Sequence, residues 1–116
     1  MDIVIRTSSG TSIVDLSGDI TLGTTPDVRK VLLSQFHDKS THRVIVNMTG
    51  VRYIDSAGVA SLVEALRLSR DLNSRFSLFG LGKNARQVLE LTRLTRIFEI
   101  HESEQEALSA AESSGA

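Results

Sequence analysis

The 116-residue chain carries 13 Lys and Arg against 14 Asp and Glu, a formal net charge of -1, with 41% hydrophobic and 23% charged residues. That length suits one hydrophobic core, and the apolar content is that of a chain that folds unaided, not of a disordered one. The near-neutral balance supplies no field for nucleic acid, and the absence of cysteine excludes disulfides, Cys-ligated zinc and a thiol nucleophile.

The first residues, Met1 to Arg6, lack the basic-then-apolar pattern of a signal peptide, and no apolar run reaches the roughly 18 residues of a membrane span. A soluble, cytoplasmic protein without direct membrane insertion is expected. Ile3 to Arg6 and Ser12 to Ser17 are β-branched runs separated by Ser8-Ser9-Gly10-Thr11, which predicts a hairpin. Thr25 then precedes Pro26, placed as a first helical residue, and Val28, Val31, Leu32 and Phe36 follow at one-face helical spacing.

Arg43 to Met48 is apolar at nearly every position, the pattern of a strand covered on both faces inside a parallel sheet, and a loop from Thr49 to Ile54 is expected after it. The second and longest helix is predicted over Ala57 to Leu72, with Val59, Leu62, Val63 and Leu66 on one face. Phe76 to Leu81 reads as a strand, and Asn84 with Gln87 as a capping box opening a helix through Leu91. Ile97 to Ile100 is a short final strand. Ser103 with Glu106 caps a last helix carrying Ala107, Leu108 and Ala111. The order ββαβαβαβα, with four helices, predicts an α/β domain over residues 1–112 whose central sheet is mostly parallel with one antiparallel hairpin strand. Residues 113–116 are expected to be a disordered tail.

The segment Asp55-Ser56-Ala57-Gly58 lies where the central strand gives way to the second helix. Asp and Ser are preferred helix caps, and a purely structural role accounts for them. The same position also suits a phosphate, because a helix N-terminus tolerates an anion while a partner docked there does not. Gly58, unfavourable in a first helical turn, implies either a tight packing contact or a bare surface for an approaching kinase.

Asp19 after Gly18, the run Val44-Ile45-Val46-Asn47-Met48, the stretch Tyr53-Ile54-Asp55-Ser56-Ala57-Gly58-Val59 and the β-α-β remainder resemble the STAS family of bacterial anti-sigma-factor antagonists, from Ile3 to Ala111. The resemblance implies a STAS-like fold and a phosphoprotein of signal transduction and transcription regulation. Its unphosphorylated form would sequester a GHKL-type serine kinase that is the anti-sigma factor, phosphorylation at Ser56 would release that kinase, and a PP2C-type serine phosphatase would reset the switch. It implies a partner surface of Asp19, Thr21, Asp55, Ser56, Ala57 and Gly58. Ala57 departs from the serine or threonine of many members, leaving Ser56 as the one hydroxyl in its turn. The chain itself is expected to be a monomer or weak dimer, with no catalytic residue, cofactor or metal site of its own; ATP belongs to the kinase. The same family includes scaffold members, a lipid-transport subunit and anion-transporter tails, so an accessory subunit docked on a membrane transporter ATPase is the alternative.

A small serine hydrolase is the enzymatic reading to weigh, with Ser56 as nucleophile and His101 as its base, but Ile54 stands where the nucleophile elbow needs glycine. Gly80-Leu81-Gly82-Lys83-Asn84 lacks the spacing and the Ser or Thr of a phosphate-binding loop. His37, His42 and His101 are scattered without metal-ligand spacing, and Thr92 and Thr95 suit capping and turn roles.

Overall fold

The computed structural model of the protein describes residues 1–114. Strands β1 (Asp2–Ser8), β2 (Thr11–Ile20), β3 (Arg43–Ile54), β4 (Arg75–Phe79) and β5 (Glu99–His101) alternate with helices α1 (Thr25–His37), α2 (Ser56–Asp71), α3 (Lys83–Leu91) and α4 (Glu104–Ser114) in the expected order. Of the tail expected at 113–116, Ser113 and Ser114 close α4, and the final two residues lie outside the described ones.

The five strands form one sheet in chain order, with β1 antiparallel to β2 and every later pair parallel. Each right-handed crossover therefore steps the same way and delivers its helix to the same face. Helices α1, α2 and α3 share that face and bury Val28, Leu32, Phe36, Val59, Leu62, Ala85 and Leu89 against Val14, Leu16, Val44, Val46, Met48 and Leu78. Among the described residues the opposite face receives only α4, whose Ala107 packs on Ile13, Ile45 and Phe79. Strand β3 lies at the centre of the sheet, and its continuous apolar run supplies both layers.

Ser9 and Gly10 close the hairpin with φ of 49° and 81°, the two positive values that a two-residue primed turn requires. Thr24 is the cap of α1 and Pro26 its second residue, one position later than expected. The larger departure is the segment 49–54, expected as a loop, which continues β3 to Ile54. Strand β2 is longer than its β-branched run and holds this extension through Ser17↔Gly50, Asp19↔Tyr53 and Ile20↔Ile54, with two register shifts on the way. Gly50 permits the closeness: a Cβ there would come 2.5 Å from Ser17 Oγ.

The capping box expected at Asn84 does not form. Gly82 is the cap of α3, and Asn84, inside the first turn, instead accepts a hydrogen bond from Ile54 N at 3.0 Å on Oδ1. The cap on α4 does form: Ser103 Oγ accepts from Glu106 N at 3.2 Å, and Glu106 reaches back to Glu102 N at 3.0 Å. Strand β5 starts two residues later than expected, because Leu94–Arg96 makes a 3₁₀ turn after Arg93 at φ 60°.

Where α4 leaves the sheet uncovered, polar side chains satisfy one another. Arg6 forks onto Asp15 at 2.8 and 2.9 Å and reaches Glu104 of α4 at 2.6 Å, while Asn47 donates to Asp15 at 2.8 Å. The Arg6 hydrogen bonds, aided by Asn47 and opposed by burial, hold the Asp15 carboxyl below the usual aspartate value of 3.8. A carboxyl whose pKa falls on folding stabilises the fold fully above its unfolded value, and that contribution is lost as pH falls through the folded value. Urea melts of Asp15→Asn should show lower stability at neutral pH and a shallower acid decline below pH 3.8 than the native chain. Parallel acid declines would remove Asp15 from the acid limb.

Candidate functional site

The elements converge at the far end of β3. Asp55 caps α2 in an extended conformation, its Oδ1 accepting from Gly58 N at 2.9 Å, as a preferred cap should. Its second oxygen accepts from Leu22 N at 3.1 Å, and its own N–H donates to Ile20 O at 3.1 Å. One residue thus ties the start of α2 both to the end of β2 and to the connection that follows it.

That connection is itself ordered by hydroxyls. Thr24 Oγ1 accepts from Thr21 N at 2.9 Å and donates to Asp19 O at 2.8 Å, and the amides of Thr24 and Thr25 both return to Thr21 O at 2.9 Å. The third side of the platform is α3, tied to the end of β3 by the bond from Ile54 N to Asn84.

Ser56 is the first residue of α2 and is exposed. Among the described residues its hydroxyl has no hydrogen-bond partner, so of the adjacent Asp and Ser only Asp55 is occupied in capping. Of the six residues expected on the partner surface, Asp19 and Ser56 are exposed, Thr21, Asp55 and Ala57 are half-buried, and Gly58 is buried. Gly58 meets the packing explanation: a Cβ would stand 2.5 Å from Ile20 O and 2.6 Å from Ile54 Cγ1, so α2 reaches the strand ends only through a bare Cα.

Two exposed apolar side chains flank this platform and escaped the sequence reading as surface elements. Leu22 is 75% exposed at the tip of the connection whose N–H Asp55 holds, and Tyr53, 47% exposed, is the β3 partner of Asp19. The available signal for Leu22 was a lone apolar residue within Thr21-Leu22-Gly23-Thr24, where no helical or strand period buries it.

His101 cannot serve Ser56 as a base. The registers Asn47↔Phe79 and Phe79↔His101 set it level with Asn47. Ile54 lies about 23 Å farther along β3 at roughly 3.3 Å per residue, whereas proton transfer needs hydrogen-bond reach. His101 Nε2 is instead 2.8 Å from Glu99 Oε2. Among the described residues no group of three His, Asp or Glu side chains is arranged to hold a metal ion, and no helix is long and apolar enough to cross a membrane.

A family model described as the STAS domain matches residues 2–107. The chain belongs to the STAS family. A curated relative, the anti-sigma-B factor antagonist of Listeria monocytogenes, is 32% identical over 91 residues, covering 78% of this chain and 79% of that protein. Among solved structures, an anti-sigma factor antagonist from Mycobacterium paratuberculosis superposes with a TM-score of 0.85 at 21% identity, over 94% of this chain and 92% of that one. The Bacillus cell fate determinant SpoIIAA in its phosphorylated form gives 0.74 at 17% identity, over 95% and 99%. These two likenesses establish the shared STAS fold, including the mixed five-stranded sheet with one antiparallel strand.

Two substitutions test the platform. Gly58→Ala gains up to about 1 kcal/mol of helix propensity but overpacks a fixed backbone contact at a cost of about 1–3 kcal/mol, so a net loss of stability is expected in urea melts. Asp55→Ala removes a cap and the hold on Leu22 N and should cost about 1–2 kcal/mol, with amide exchange at Leu22 and Gly58 accelerating together. Acceleration at Gly58 alone would show that Asp55 does not restrain the connection.

Proposed function

We propose that this protein is an anti-sigma-factor antagonist in a partner-switching pathway. The unphosphorylated form binds and sequesters a GHKL-type serine kinase that acts as the anti-sigma factor. Phosphorylation of Ser56 releases it, and a PP2C-type phosphatase restores the binding form. The observation that carries this reading is the exposed Ser56 hydroxyl at the start of α2, without a hydrogen-bond partner among the described residues and beside a carboxylate already committed to holding the backbone. The names of the Listeria relative and of the phosphorylated SpoIIAA structure support it.

The physics of such a switch follows from the platform. A phosphoserine brings about -1.5 to -2 charges, and the positive end of the α2 dipole offsets that inside the fold by about 0.3–1 kcal/mol. Asp55 keeps both its backbone donors, so the fold has no reason to rearrange. A docked partner lacks that compensation. Closing an interface over an unpaired dianion costs several kcal/mol, and about 3 kcal/mol already weakens binding about a hundredfold. The general base and magnesium ligands for the transfer come from the kinase, since Asp55 is committed to backbone amides and, among the described residues, no group of three His, Asp or Glu is arranged to hold a metal ion.

Asp19, Thr21 and Ala57 complete the contact surface, with Leu22 as its apolar anchor. Leu22→Ala should weaken partner capture about tenfold while leaving stability unchanged, because this side chain is 75% exposed in the free protein. Unchanged capture would place the interface away from the β2–α1 connection.

The deciding experiment is paired affinity capture from host lysate with Ser56→Ala and Ser56→Asp baits, read by mass spectrometry. A GHKL-type kinase held by the first and lost by the second supports the switch. Incubating the native chain with that kinase and ATP should then add one phosphate, and none to Ser56→Ala. Equal retention of a transporter ATPase by both baits would replace this reading with that of an accessory subunit.

A further inference from the structure

Strand β1 forms one rim of the sheet, and among the described residues no strand pairs with its outer edge. Natural edges are blunted by shortness, charged side chains, Pro, a bulge or a covering element. The opposite rim obeys, since β5 is three residues long. The β1 rim is only weakly blunted: it is seven residues, Asp-Ile-Val-Ile-Arg-Thr-Ser, without Pro and in unbroken register with β2, and its two charges, Asp2 and Arg6, flank an apolar centre. It also carries two exposed apolar side chains on opposite faces, Val4 at 57% and Ile5 at 41%.

We propose that β1 pairs antiparallel with β1 of a second copy of this chain about a twofold axis at Val4, joining two five-stranded sheets into one. The hairpin sets which groups are available. Its two-residue turn closes on Ser8 and Thr11 as a hydrogen-bonded pair, and the alternation of an antiparallel ladder then turns the main-chain groups of Asp2, Val4 and Arg6 toward β2. Those of Ile3, Ile5 and Thr7 face outward. An axis at Val4 sets Ile3 opposite Ile5 of the second copy, so outward groups meet outward groups, and Val4 meets its own counterpart in a close non-hydrogen-bonded pair.

Charge selects the same register. Asp2, which has no side-chain partner among the described residues, lies opposite Arg6 of the second copy. Arg6 commits Nε, both Nη2 hydrogens and one Nη1 hydrogen to Asp15 and Glu104, which leaves one Nη1 hydrogen to donate. Moving the axis to Ile3 or Ile5 would set Val4 against Asp2 or Arg6. The run Asp2-Ile3-Val4-Ile5-Arg6 is therefore complementary to itself when read antiparallel about its middle, which identifies the occupant as another copy. The pair leaves the Ser56 surfaces free. Asp2 pairs with Ser17, so β1 begins at the Ser56 end of its own sheet, and antiparallel joining points the two Ser56 platforms in opposite directions. The inference does not depend on what Ser56 does.

Sedimentation velocity of the full chain over rising concentration tests it, with Val4→Lys and Val4→Cys as variants and circular dichroism to check their folding. The native chain should pass from monomer to dimer in the roughly micromolar-to-millimolar range of small interfaces. Val4→Lys, which sets like charges directly opposite, should weaken association about tenfold or more. In the proposed register the two Val4 Cα atoms are about 4.5 Å apart, within disulfide span, and the native chain has no cysteine. Val4→Cys should therefore oxidise to a covalent dimer faster than Thr7→Cys, whose counterpart lies opposite Met1. A monomer at every concentration overturns the proposal. A dimer indifferent to Val4→Lys, or one in which both cysteine variants cross-link at equal rates, overturns it by placing the interface elsewhere.

Discussion

Ile20 and Ile54 stand opposite each other at the ends of two parallel strands, and that alignment fixes where everything beyond the sheet can go. Because β2 and β3 finish level, the amide of Asp55 finds Ile20 O, and its carboxylate bridges Leu22 N and Gly58 N. Because Gly58 has no side chain, α2 can start directly against the strand ends. The exposed hydroxyl of Ser56 is thus set on regular structure by hydrogen bonds that tie α2, β2 and α3 to the end of β3.

The one-way crossovers that give the sheet its order also divide its two faces unequally. Three helices close the larger core, while the other face has α4 and a set of mutually satisfied polar groups. Arg43 illustrates the division: it donates to Thr11 Oγ1 and to Leu108 O, sealing the start of β3 beneath α4 with hydrogen bonds where the other face uses apolar contact. The Ser56 platform is built on the better-packed side, at the N-terminus of a helix whose Val59, Leu62, Ala65 and Leu66 are all buried. A charge placed there is borne by a rigid support.

Element order, sheet type and the position of Ser56 were legible in the sequence because each rests on a local signal: the turn at Ser9-Gly10, the doubly apolar run of β3, and Asp-Ser before an amphipathic helix. The segment 49–54 was not. Thr49, Gly50, Arg52 and Tyr53 break the apolar run, and only pairing with the far end of β2, more than thirty residues earlier, makes them a strand. Asn84 misled for a related reason. Its side chain suits a cap, but an unpaired amide on Ile54, distant in sequence, takes it instead. The bridging role of the second Asp55 oxygen and the exposure of Leu22 likewise depend on the β2–α1 connection folding over the start of α2.

Strand order identical to chain order has a consequence for synthesis. Each new strand of the parallel series adds to the edge of a sheet that the ribosome has already released, and no later strand must be inserted between earlier ones. Assembly can therefore proceed strand by strand from β1, each parallel pairing closing over a single crossover, although such non-local pairings are slower to form than the β1–β2 hairpin. The contact from Arg6 to Glu104, spanning 98 residues, breaks that rule. It joins β1 to α4 and can close only after all five strands have emerged, so it fastens a structure whose larger core is already complete.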